Sequence, residues 1–134
     1  MTRKVTSMMR RDMCLVDMDD TIASVEQRLA QDHLSWAPVV EGGGAILGVI
    51  STADLLRFHA QGRDAQAVRA WQMCTYRPVT VSADTALGDV ARLMVDRQIH
   101  RVLVSEAGAF VGVLSSLDFV REFADGGVRD AASA

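Results

Sequence analysis

Along the chain, one alternation of apolar and polar side chains occurs twice. A short extended piece, Leu15-Val16 in the first instance and Val79-Thr80-Val81 in the second, leads into Asp20-Thr21 or Asp84-Thr85, a helix-start signal. Apolar residues then recur at helical spacing: Ile22, Val25, Leu29 and Ala30 in one, and Leu87, Val90, Ala91, Met94 and Val95 in the other. These helices are expected to end near His33 and Arg97. An apolar strand follows (Ala37 to Val40, or Val102 to Val104). Next come a turn with Gly42-Gly43-Gly44 or Gly108 and a second strand, Ile46 to Ile50 or Phe110 to Leu114. So short a turn predicts a hairpin. A closing helix starts at Ser51 or Ser115 and carries Leu55, Leu56 and Phe58, or Phe119, Val120 and Phe123. The predicted unit is β-α-β-β-α.

The two instances are copies. Shifted by 64 residues, GAILGVISTADLLRFHA (44 to 60) falls on GAFVGVLSSLDFVREFA (108 to 124) without a gap, and 15 of the 52 positions from Met9 to Ala60 are identical. Neither copy alone buries a sufficient core, so the two are expected to pack with pseudo-two-fold symmetry. The fold class is α+β, built from two β-α-β-β-α repeats. The expected organisation is a first repeat with its lead-in over 1–62, a linker helix over 63–75 lined by Ala65, Val68, Ala70 and Trp71, a second repeat over 76–124, and a frayed tail over 125–134.

Composition narrows the function classes. The chain has 134 residues, 49% hydrophobic, with 14 basic against 17 acidic side chains and a net charge of −3. Without a basic excess it is not a general nucleic-acid binder. Its most apolar run, Ala45 to Ile50, is too short to span a bilayer, so no membrane association is expected. Cys14 and Cys74 stand sixty positions apart with no CxxC or Cys/His cluster, which favours reduced structural thiols and a cytoplasmic protein. His33 and His59 have no partner at metal spacing, and the methionines suit adaptable core or interface filling, so no metal site is expected. The glycine triplet precedes a strand rather than a helix and is a turn, not a phosphate loop. No catalytic constellation is present, so the chain is not expected to be an enzyme.

Each copy closes on Gly-hydrophobic-hydrophobic-Ser-x-x-Asp: Gly48-Val49-Ile50-Ser51-Thr52-Ala53-Asp54 and Gly112-Val113-Leu114-Ser115-Ser116-Leu117-Asp118. With the lead-ins Ser7-Met8-Met9 and Met73 to Val81, and the stretch Ile99 to Val104, this tandem unit resembles a pair of CBS domains, the cystathionine-β-synthase-type regulatory module. The resemblance covers nearly the whole chain. It implies a stand-alone Bateman-type module that binds an adenosine-containing ligand (AMP, ATP, NAD or S-adenosylmethionine) in clefts between the repeats and signals to a protein partner. It also implies that Asp54 and Asp118 hold the ribose hydroxyls and that Ser51 and Ser115 face the phosphate, with Ala37, Pro38, Cys14 and Pro78 completing the ligand contacts. A homodimer is expected as well, because the closing helices carry Leu55, Leu56, Phe119 and Phe123.

The same residues admit plainer readings. Ser-x-x-Asp in a first helical turn is close to a capping box, which explains both side chains without a ligand. His100-Arg101 at a strand start can grip a phosphate or be a solvated strand edge. The first copy has Trp36-Ala37 at that register, where Trp36 either stacks on a base or belongs to core or dimer surface. Two functions therefore compete: a nucleotide-sensing module and a structural dimerisation module with empty clefts.

Overall fold

The computed structural model describes residues 3–76 and 78–126. It has the mixed α+β architecture expected, in two compact units: Cys14–Pro78, and Val79 onward together with the N-terminal segment up to Met13. In the first unit β1 (Val16–Asp17) leads to α1 (Ile22–Gln31), the hairpin β2 (Trp36–Val40) and β3 (Ile46–Ser51), α2 (Thr52–Ala60), a 3-10 turn at Ala70–Gln72, and β4 (Thr75–Tyr76). Its sheet order is β1-β2-β3-β4, with β1 parallel to β2 and the other neighbours antiparallel. In the second unit β5 (Thr80–Ser82), α3 (Leu87–Arg97), β6 (Arg101–Glu106), β7 (Ala109–Ser115) and α4 (Ser116–Ala124) repeat the plan, with sheet order β5-β6-β7.

Helical periodicity dictates the cores. Ile22, Val25 and Leu29 lie on one face of α1 and are buried against Val39, Ile50 and Phe58. Leu87, Val90 and Met94 do the same on α3 against Val102, Val104 and Leu114. Among the residues expected to form a dimer face, Leu55 and Phe119 belong to these cores. Leu56 is exposed, and Phe123 remains on the surface. The helical period puts neighbouring positions on opposite faces.

Residues 63–75 form no α-helix. The carbonyls of Val68 and Ala65 instead accept the free N–H groups of Ile22 and Ala23 in the first turn of α1, at 2.9 Å each, and Ala70 is buried in the core. Capping another helix takes the hydrogen bonds that a helix of their own would need. The segment ahead of the first repeat does likewise in the second unit: Arg3 O accepts from Leu87 N, Val5 N donates to Thr85 O, and Arg10 exchanges two bonds with Val113. It is therefore packed with the second repeat. Arg3 also donates to Glu122 at 2.7 Å, and this hydrogen bond holds the Glu122 carboxyl below its ordinary range. The tie is thus present at neutral pH and lost as pH falls through that lowered value. Of the expected frayed tail, residues 127–134 lie outside the described residues.

The gapless spacing of 64 holds only for the closing half of the repeat. Trp36 pairs with Ser51 where Arg101 pairs with Ser115, and Val39 pairs with Gly48 where Val104 pairs with Gly112. His33 and Gln98, both at φ 54°, occupy the same left-handed position. Trp36 to Arg101 and His33 to Gln98 are spacings of 65. The difference arises in the hairpin turn, where Gly42-Gly43-Gly44 separates Glu41 from Ala45 but only Ala107-Gly108 separates Glu106 from Ala109. One consequence is that α3 starts after Ala86, which offers no side-chain cap, rather than at Thr85, whereas Thr21 caps α1 by accepting from Ser24 N. Another is that the counterpart of Arg101 is Trp36, and that of His100 is Ser35.

Gly48 and Gly112 are the points of closest approach. A Cβ on Gly48 would lie 2.3 Å from Thr75 O, and one on Gly112 would lie 2.7 Å from Met9 Sδ and 2.9 Å from Arg10 O. Gly48→Ala should therefore destabilise by about 1–3 kcal/mol in urea unfolding. Gly42→Ala, with nothing within 4 Å, should be neutral or stabilising by up to about 1 kcal/mol. Equal effects of the two would contradict this packing.

Candidate functional site

In each unit the second hairpin strand passes directly into the closing helix. Ser51, extended at φ −124° and ψ 163°, is the N-cap of α2: its Oγ accepts from Asp54 N at 3.2 Å, and Asp54 Oδ2 accepts from Ser51 N and Ser51 Oγ, both at 2.9 Å. Ser115 and Asp118 repeat this, with Oδ2 accepting from Ser115 N at 2.9 Å and Ser115 Oγ at 3.0 Å. The capping box is thus realised twice, and each carboxylate is fixed through one oxygen.

The other oxygen distinguishes the units. Asp54 Oδ1 accepts from Arg57 Nη2 at 2.6 Å. Asp118 is buried at 8% exposure, and among the described residues no side chain bonds its Oδ1, although Arg121 occupies the position matching Arg57. Opposite Ser115 on β6 stands Arg101, whose pKa is lowered by desolvation while the guanidinium stays charged at neutral pH. His100 contributes its carbonyl, which accepts from Ser116 N at 2.8 Å. Opposite Ser51 stands Trp36, so the first unit has no cation at that register.

The remaining expected residues are distributed as follows. Ala37 is fully buried with its methyl in the core, and Pro38, also buried, is paired with Val49. Cys14 is half-buried two residues ahead of Val16, as Ala37 is two ahead of Val39, the partner of Val16 in the parallel ladder; this puts Cys14 at the same sheet end as Ala37. Pro78 is half-buried just ahead of β5. The first unit thus gathers Cys14, Ala37, Pro38, Ser51 and Asp54 around one strand end, and the second gathers His100, Arg101, Ser115 and Asp118 around the equivalent end. Arg57 was not among the expected site residues. Its signal was its place three residues after Asp54 and its identity with Arg121 in the repeat.

The CBS domain family model matches residues 5–60 and again 68–125. The chain belongs to the CBS domain family. Within this family it is 30% identical over 112 residues to the CBS domain-containing protein YhcV of Bacillus subtilis, covering 83% of this chain and 79% of that protein. It is 26% identical over 116 residues to the arabinose 5-phosphate isomerase KpsF of Escherichia coli, covering 86% of this chain. It spans only 36% of the isomerase's length. Among solved CBS structures, CBSX2 in complex with AMP superposes with a TM-score of 0.78 at 23% identity, covering 91% of this chain and 96% of that one. The CBS domain pair of MJ0100 in complex with 5′-methylthioadenosine and S-adenosyl-L-methionine gives 0.77 at 20%, covering 94% and 99%. No helix among the described residues of this CBS pair is long and apolar enough to cross a membrane.

The caps are structural whatever else they do. Ser51→Ala and Ser115→Ala should each cost about 1 kcal/mol of stability in denaturant unfolding without ligand. No loss in either variant would contradict the capping geometry.

Proposed function

We propose that this CBS pair is a regulatory module that binds an adenosine-containing ligand at its strand-to-helix junctions and signals occupancy to a protein partner. The observation that carries the reading is the Asp118 carboxylate: buried, fixed by Ser115 through Oδ2, and with Oδ1 bonded by no described side chain. Such a group suits a ribose, whose vicinal hydroxyls donate to it. Arg101, opposite Ser115, supplies positive charge for a phosphate. The AMP bound to CBSX2 and the 5′-methylthioadenosine and S-adenosyl-L-methionine bound to the MJ0100 pair have adenosine in common, which favours that part of the ligand as the recognised one.

In calorimetry, Asp118→Asn should weaken AMP and adenosine alike by about tenfold or more, from loss of charge-assisted bonds. Arg101→Gln should reduce the preference for AMP over adenosine and leave adenosine unchanged. Unaltered binding in Asp118→Asn would remove the ribose assignment, and an unaltered AMP preference in Arg101→Gln would make that side chain a strand-edge residue.

A second reading, a dimerisation module, draws on another observation. Val95, Val120 and Phe123 are exposed around an apolar groove of about 400 Å³ between α3 and α4. We propose that two copies associate through this face, compatibly with ligand binding. Sedimentation should give a dimer at tens of micromolar that Val120→Glu converts to a monomer; a monomeric parent would contradict it.

A further inference from the structure

A cavity of about 280 Å³ runs along α2 in the first unit, lined by Asp54, Arg57, Phe58, Gln61, Arg63 and Gln72. Its polar lining is rich in donors. Arg63 lies over the Phe58 ring, 5.1 Å from its centroid, and its N–H groups meet no acceptor among the described residues. Gln72 Oε1 is taken by Arg69 N, which leaves its NH₂ as the free end. Among the described residues, Arg57 donates only to Asp54 Oδ1. The second unit has Glu122, ion-paired to Arg3, and Asp125 at the positions of Phe58 and Gln61.

We propose that this cavity is an anion subsite in which Arg57 and Arg63 take the phosphate of a nucleotide whose ribose meets Asp54. The inference rests on the adenosine-ligand reading above and assigns phosphate recognition in the unit where Trp36 stands at the register of Arg101. It also makes Arg57 a specificity device. With Arg57 on Oδ1 and Ser51 on Oδ2, both oxygens of Asp54 are occupied. A phosphate offers Arg57 a second acceptor and releases Oδ1 for a ribose hydroxyl, whereas an unphosphorylated nucleoside must break the ion pair without replacing it. The first unit thus discriminates against nucleosides more strongly than the second.

The test uses the full chain carrying Arg101→Gln and Asp118→Asn, so that the second unit does not report, with thermal melting as a check of folding. Calorimetry with inorganic pyrophosphate should show binding that weakens at least tenfold in Arg57→Ala and in Arg63→Ala. Arg57→Ala should also weaken AMP while tightening adenosine, opposite signs that a general loss of structure cannot produce. Absence of pyrophosphate binding, or equal affinity in both variants, overturns the subsite. Arginine-dependent pyrophosphate binding without AMP or adenosine binding upholds it as an anion site and refutes the nucleotide reading. Adenosine weakened in parallel with AMP by Arg57→Ala overturns the specificity role.

Discussion

The sharp passage from strand to helix at Ser51 and Ser115 is the constraint on which each unit is built. A strand ends and a helix starts on adjacent residues, so the first N–H groups of the helix lose strand partners before they gain helical ones. The reciprocal Ser–Asp bonds satisfy them, and their geometry then determines everything nearby. They point one carboxylate oxygen inward and leave the other to the environment. They also bring the first residue of β2 or β6 opposite the cap, through the pairings Trp36–Ser51 and Arg101–Ser115. Capping and ligand contact are therefore compatible uses of the same residues: the cap occupies Oδ2, and only Oδ1 is in question.

A second constraint is how so small a sheet covers its edge. In the first unit β4 supplies the outer partner of β3, and in the second Arg10 bridges to Val113. Both approaches run over a glycine, Gly48 or Gly112, because a Cβ there would collide with the incoming backbone. The segments that make them also cap the helix of the unit, so edge protection and helix capping come from one stretch of chain.

Much of this was legible from residue pattern. Period and repeat sufficed for the β-α-β-β-α plan, for the buried faces of α1 and α3, and for the Ser-x-x-Asp junctions. The repeat also misled. Asp20-Thr21 matching Asp84-Thr85 favoured a gapless alignment, yet one additional residue in the three-glycine turn shifts the opening half by one and puts Trp36, not Ala37, at the register of Arg101. Turn length is set locally and leaves little trace in apolar spacing. The expected linker helix failed for another reason, since Ala70 is buried, and Ala65 and Val68 are partly buried, by tertiary packing whose hydrogen bonds go to α1. The role of Arg57 is not legible in the residue pattern, because it lies in occupying Asp54 Oδ1, a matter of side-chain geometry.

The central claim is that the two Ser-x-x-Asp junctions are chemically unequal binding points for one class of ligand. Amide chemical-shift mapping during an AMP titration tests it most directly, because each junction reports separately. The account predicts perturbations concentrated at Arg101, Ser115, Ser116 and Asp118 at low AMP, with those at Ser51 to Arg57 following a distinct binding curve. Superimposable curves for the two junctions, or perturbations confined to residues remote from both, would contradict it.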